Sequence, residues 1–167
     1  AVDPVGGYAA SKANEWIPIL PGTDSALALS MLHVLLNELK IYDRPFLKNK
    51  TNAPYLVGAD GRYLRDAKTN EPLIFDAADQ TAKAHNDKTL RDTALSGTYQ
   101  VHGKQGRTAF DLLCEHVTKY TPEKTEKITT VPAATVRRIA GEFGAAACIG
   151  QTITIDGVEL PYRPVCV

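Results

Sequence analysis

Two carboxylates open the chemistry of this chain. Asp3 follows the short apolar stretch Ala1-Val2 and precedes Pro4, while Asp24 follows a second stretch, Trp16–Leu20, through a Pro21-Gly22 turn. In an open α/β sheet, ligands bind outside the carboxyl ends of the strands. If the two stretches are parallel neighbours, both acids project to one rim. An acid at a strand end is the usual partner of a ribose hydroxyl. An acid at a helix start offers two acceptors to the adjacent N1–H and N2–H₂ donors of guanine's Watson–Crick edge. A plainer reading stands beside these, in which Asp24 only caps its helix and favours the helix dipole. Neither a GxGxxG nor a GxxxxGK[ST] loop occurs, so a standard Rossmann fingerprint and a P-loop are both excluded.

Other chemistries find little support. Cys114, Cys148 and Cys166 are odd in number and lack CxxC spacing, and His33, His85, His102 and His116 form no HxxxH or HExxH frame. A metal site made by this chain alone is not expected, nor are catalytic residues. Cys114, in the apolar run FDLLCEHV, reads as core. A hydrolase is disfavoured by the absence of GxSxG and of a Cys–His pairing.

The elements that must position the two acids can be read from periodicity. Ala1–Asp3 reads as a strand end and Trp16–Leu20 as a short strand that Pro18 interrupts. The helical-looking AASKANE between them suits a short crossover. A helix is predicted from Thr23 to about Lys40. Leu27, Met31, Leu35 and Leu39 line one face, Leu29, Leu32 and Leu36 a second, and Ser30, His33, Asn37 and Lys40 form a narrow exposed stripe. Asp43–Lys50 reads as a short helix. From 51 to about 105, short apolar runs (PYLV, RYLR, PLIF, TYQV) alternate with Pro, Gly, Asn and Asp. Ala59-Asp60-Gly61 signals a hairpin, and polar Asp76–Asp92 reads as a surface excursion. Thr108–Asp111 resembles a capping box, with Phe110, Leu113, Val117 and Tyr120 following at helical spacing. Pro122 and Pro132 each start a helix. In the latter, Val136, Ile139, Ala140 and Phe143 face the core and Arg137, Arg138 and Glu142 face water. QTITIDGVEL reads as a hairpin turning at Gly157, and Arg163–Val167 as a strand beginning. Both ends read as cut from a longer protein.

Composition bounds the rest. With 167 residues, 44% hydrophobic and 23% charged, the chain can build a core without staples. Its 19 Lys+Arg cancel its 19 Asp+Glu, so no broad electrostatic footprint for nucleic acid or an anionic membrane remains. No apolar run approaches the roughly 18 residues of a membrane span. No charged n-region followed by an apolar stretch stands at the chain's start, so no secretory signal is visible in these residues.

Several runs, taken together, resemble the dimethyl sulfoxide reductase family, the molybdenum or tungsten bis(molybdopterin guanine dinucleotide) oxidoreductases. They are Val2-Asp3-Pro4, Ala13–Ile19, Pro21–Leu29, Ile41-Tyr42-Asp43 with Phe46, Tyr120–Glu123, Ile128-Thr129, Val131–Ala133, Arg137–Ala140 and Glu142-Phe143. Asn52–Val57, Asp60–Arg62 and Pro161–Val165 resemble a subset with a β-rich insertion. The resemblance implies one Rossmann-like, three-layer α/β domain over 1–167, with a mostly parallel sheet and an irregular insertion at about 51–105. It implies that the domain holds the guanosine end of one molybdopterin guanine dinucleotide, through Asp3, Pro4 and Val5 after the strand and Gly22, Thr23 and Asp24 in the turn. Two positions depart from the pattern: Val5 stands where many members have Arg, and Asn14 stands in a motif that usually reads Ala-Asp-Glu or Ala-Asp-His.

By the same resemblance, the metal ligand and an iron–sulfur cluster lie outside this segment. Its partners are the remaining domains of a catalytic subunit, together with an iron–sulfur electron-transfer subunit, in bacterial or archaeal cytoplasm or periplasm. Such a segment is not catalytic alone. The alternative is a free-standing α/β nucleotide-binding or protein-interaction module without redox activity.

Overall fold

In the structure, a computed structural model describing residues 1–165, the first long-range contact along the chain is a parallel one. Val2 bridges Ile17, with the Ile17 N–H donating to Ala1 O at 2.8 Å and the Asp3 N–H to Ile17 O at 3.2 Å. The helices are α1 (Tyr8–Lys12), α2 (Asp24–His33), α3 (Arg44–Lys50), α4 (Ala109–His116), α5 (Pro122–Thr129) and α6 (Ala133–Ala146). The strands are β1 (Leu56–Gly58), β2 (Leu73–Asp76), β3 (Thr81–Ala84), β4 (Thr98–Val101), β5 (Lys104–Thr108), β6 (Thr152–Ile155) and β7 (Val158–Pro161). They divide into two units, residues 1–42 with 116–167 and residues 43–115.

The architecture is mixed α/β, but the mostly parallel, Rossmann-like sheet expected from the sequence is not found among the described residues. The named sheets are small and antiparallel: β1-β5-β4, β2-β3 and β6-β7. The physical reason is local. The next bonds of a parallel ladder would use Asp3 O and Val5 N–H, but Asp3 O accepts from the Trp16 indole and Val5 N–H donates to the Asp3 carboxylate, so the Val2–Ile17 bridge does not grow into a ladder. The pairs β2-β3, β4-β5 and β6-β7 are joined by short connections, which allow only antiparallel pairing, while β1 reaches β5 antiparallel through a long connection.

In the first unit, α1 connects the two bridged segments. Helix α2 packs on α5 and α6 around Ile17, Ile19, Leu27, Val34, Val131, Val136 and Ala140. The exposed stripe expected on α2 is corrected. Ser30 is wholly buried and accepts from the Thr125 hydroxyl at 2.9 Å, so the α5 contact satisfies its polarity inside the core. His33 is also buried, with Nδ1 3.3 Å from the Asn37 amide and Nε2 3.6 Å from Glu38. Beyond His33 the span of the helical hydrogen bonds widens. Val34–Glu38 is a π-helical turn, closed by Leu39 N–H to Val34 O at 2.8 Å, before Lys40 exits at φ 57°. On α6, Val136 and Ala140 are buried while Arg137 clamps Glu38 and Glu123, and Arg138 pairs with Glu15 and Glu142. The β6-β7 hairpin turns through Asp156 and Gly157, both at positive φ as a two-residue hairpin loop requires. Within described residues no strand follows it, and Cys166 and Val167 of the expected Arg163–Val167 strand lie outside them.

In the second unit, Leu56, Leu73, Phe75, Ala94 and Val101 form the core, and Phe75 stacks on Tyr99 with centroids 3.8 Å apart. The Asp60-Gly61 turn returns the chain to pair Val57 with Tyr63. At the expected capping box, Thr108 Oγ1 accepts from the Asp111 N–H at 3.4 Å. Asp111, however, accepts from Gly97 N–H at 2.7 Å rather than from Thr108. The polar stretch 76–92 lies at the surface except for its first residue. Asp76 is wholly buried, and β3 runs through the stretch.

Candidate functional site

The two segments that carry the sequence-predicted site residues both end at loops of the first unit. After the Val2–Ile17 bridge, the Asp3 carboxylate turns back on its own chain and accepts from the Val5 N–H at 2.8 Å. This Asx turn fixes the path through Pro4. The indole N–H of Trp16 donates to Asp3 O at 2.8 Å, tying that loop to the neighbouring segment. Gly6 lies against the same ring: a Cβ there would meet Trp16 at 3.4 Å. Val5 is 69% exposed, so its side chain makes no core contact.

Beyond Ile19 the chain is anchored by Leu20 N–H to Thr129 O at 3.0 Å, then turns through Pro21 and Gly22. Gly22 sits at φ 78°, where a side chain would be strained. The turn closes with Thr23 N–H to Leu20 O at 3.3 Å, and the Thr23 hydroxyl donates to the same carbonyl at 2.7 Å. Thr23 is therefore the N-cap residue, but its hydroxyl is occupied and gives no cap bond. Asp24 follows as the first helical residue, exposed, and makes no hydrogen bond or ion pair with the described residues. The plain capping role has no hydrogen bond behind it. What remains of it is the favourable position of a carboxylate at the positive end of the α2 dipole.

The structure thus brings Asp3, Pro4 and Val5 into one loop and Gly22, Thr23 and Asp24 into one turn, each leaving a segment of the parallel bridge. Among the described residues no hydrogen bond or ion pair joins the two groups. Trp16 is the positioning residue that sequence reasoning passed over. Its place directly before the bridging Ile17 was the available signal. Among the described residues, no group of three or more His, Cys, Asp or Glu could hold a metal ion, and no helix is long and apolar enough to cross a membrane. Four open clefts lie in the second unit.

No family model matches the chain. Curated relatives do. It is 36% identical to a sulfite dehydrogenase subunit of Allochromatium vinosum, over 98% of this chain and 18% of that one. It is 33% identical to the alpha subunit of the perchlorate reductase of Dechloromonas aromatica, over 82% of this chain and 19% of that one. The molybdopterin-containing subunit of the arsenate respiratory reductase of Shewanella sp. is 29% identical over 97% of this chain and 15% of its own length. The chain thus spans less than a fifth of the length of these relatives. Among solved structures, acetylene hydratase from Pelobacter acetylenicus aligns over 85% of this chain, with 23% identity and a TM-score of 0.47. By these likenesses the chain belongs to the dimethyl sulfoxide reductase family of molybdopterin oxidoreductases.

Proposed function

We propose that this chain is a cofactor-binding segment of a molybdopterin oxidoreductase catalytic subunit. In this reading it holds the guanosine part of one molybdopterin guanine dinucleotide, as a single α/β domain interrupted by the second unit. The observation that carries the reading is the unpaired Asp24 carboxylate, exposed at the start of α2 beside a glycine turn. Gly22 has nothing within 4 Å of where a Cβ would stand, so the turn offers open backbone rather than side chains. An acceptor pair beside an open turn suits the two adjacent N–H donors of guanine, so the residues fit the group.

In that role Asp24 holds the guanine edge, and Gly22 and Thr23 present the turn. Asp3, Pro4 and Val5, kept in shape by the Asx turn and by the Trp16 indole, border the sugar. The Asp3 Oδ1 is already committed to Val5, which leaves Oδ2 to accept. The cofactor, when bound, supplies two-electron redox chemistry at its molybdenum or tungsten. The metal ligand, the iron–sulfur cluster and an electron-transfer partner belong to other parts of the parent enzyme.

The test is Asp24→Asn in the intact parent enzyme. The amide keeps the size but turns one acceptor into a donor facing a donor. A charged contact of this kind contributes roughly 1.5–3 kcal/mol, so metal and guanine nucleotide per protein should fall. Folded stability should change by under about 1 kcal/mol, since no capping bond is lost. Normal metal loading in the variant overturns the reading of Asp24. A parent purified without molybdenum, tungsten or pterin overturns the cofactor role as a whole.

A further inference from the structure

Among the described residues, β6 and β7 are the strands exposed along their whole length. Their register sorts the hairpin into two faces. Ile153 stands opposite Leu160 and Ile155 opposite Val158, and residues two apart on a strand share a side, so these four apolar side chains form one face. Thr152, Thr154, Glu159 and Pro161 form the other. There the Thr152 hydroxyl donates to Glu159 at 2.7 Å, so the polar face finds a partner within itself. The apolar face is left open by the described residues: Ile155 is 50% and Val158 57% exposed, and Ile153 and Leu160 are exposed as well.

The hairpin is shaped before anything docks on it. The turn through Asp156 and Gly157 closes one end. At the other end Tyr162 N–H donates to Gln151 O at 2.9 Å, and the Arg163 guanidinium donates to Cys148 O and Gln151 O at 3.1 Å each. A two-stranded hairpin alone is marginal in water and becomes stable when one face is packed against another element. A contiguous apolar face that stays exposed marks an interaction surface.

Two observations select what covers it. Residues 151–161 hold Asp156 and Glu159 and no Lys or Arg, which disfavours an anionic lipid surface. The match to the sulfite dehydrogenase subunit runs over 98% of this chain, which leaves out fewer residues than the hairpin contains, yet spans 18% of that subunit. The hairpin thus has a counterpart inside a far longer chain, whose remaining polypeptide is at hand to cover it.

We propose that the face formed by Ile153, Ile155, Val158 and Leu160 docks onto an apolar patch of the same parent polypeptide outside residues 1–167, with the Thr152–Glu159 face left toward solvent. This docking depends on the parent subunit being longer than this segment, and not on what Asp24 holds.

The experiment uses the intact parent subunit. Val158→Cys places a thiol on the apolar face and Thr154→Cys one on the polar face. Alkylation by iodoacetamide is followed on the hairpin peptide by mass spectrometry, and each rate is divided by that of the same variant in urea. The ratio for Val158→Cys should lie about tenfold or more below that for Thr154→Cys. Equal ratios overturn the proposal. Protection of Val158→Cys that vanishes on dilution overturns it in favour of a second copy, and protection seen only with a further subunit bound overturns it in favour of that subunit. Hydroxyl-radical footprinting of the unsubstituted subunit makes the comparison without a variant. Ile155 and Leu160 should be oxidised several-fold more slowly in the native than in the unfolded subunit, and equal oxidation overturns the proposal. Molybdenum and tungsten are assayed on the same preparation, so that a covered Val158 in a metal-free subunit supports the docking while it overturns the cofactor reading.

Discussion

The ammonium of Lys83 lies 2.8 Å from the wholly buried carboxylate of Asp76, across the β2-β3 hairpin. The pair is not isolated. Asp76 also accepts N–H bonds from Ala78, Arg91 and Asp92, while Lys83 reaches Asp79 and the Thr89 carbonyl. One buried acid therefore organises the return of the chain from β3 toward β4, and its partners offset the cost of burying a charge.

This pair gives the second unit a pH signature. The Lys83 hydrogen bond, followed by the three N–H bonds, holds the Asp76 carboxyl far below the usual carboxylate range. A carboxyl depressed on folding contributes stability that is fully present above its unfolded pKa of about 4 and is lost as pH falls further toward the folded value. Asp76→Asn should therefore be less stable than the parent chain at pH 7. Its stability should also fall less steeply between about pH 4 and pH 2. Urea unfolding at a series of pH values measures both. Parallel pH profiles for the two proteins would remove Asp76 from this role.

A second expectation concerns the buried hydroxyl pair of the first unit. Thr125→Val keeps shape but leaves the Ser30 hydroxyl without this donor in a fully buried site. An unsatisfied buried polar group costs about 1–3 kcal/mol. The double variant Ser30→Ala with Thr125→Val removes both partners, so its loss should be smaller than the sum of the single losses by about 0.5 kcal/mol or more. Denaturant melts of the four proteins close the cycle. Additive losses would mean that the hydroxyls act independently.

The turn before α2 offers a cleaner test of backbone strain. Gly22 adopts φ 78°, yet an added Cβ meets nothing within 4 Å. Gly22→Ala therefore costs only the left-handed conformation, roughly 1–2 kcal/mol, with no steric contribution. Gly22→Asn should cost less, since Asn tolerates that region. Thermal melts should rank Gly above Asn above Ala. An Ala variant as stable as the parent would mean that the turn relaxes to another conformation.

How far the fold was legible follows from the range of the interactions involved. The buried side of α6 could be read from Val136 and Ala140 because a helical period is local, and the Asp60-Gly61 turn from its dipeptide for the same reason. Pro122 at the start of α5 is a local signal too. Ser30 and Asp76 misled for the opposite reason. Their partners Thr125 and Lys83 turn a polar residue into an interior one, and composition carries no trace of the pairing. In the candidate site, the places of Asp3 at a strand end and Asp24 at a helix start were readable. The Trp16 bond to Asp3 O and the committed Thr23 hydroxyl were not, because each depends on how two loops lie in space.

The π-helical turn over Val34–Glu38 has a consequence for how chains of this kind are compared. A turn closed five residues back carries one residue more than the α-helical turn it replaces. The helix thereby falls out of phase by about 100°, the angle of a single residue. Leu39, which extends the Leu27–Met31–Leu35 row on paper, instead stands 44% exposed, while Leu36 is buried. The stretch between Asp24 and Lys40 thus stores a spare residue inside a continuous helix. A homologue one residue shorter here can keep the same start at the turn and the same exit, so a single gap in an alignment at Val34–Glu38 marks a change of helical phase and not a lost loop.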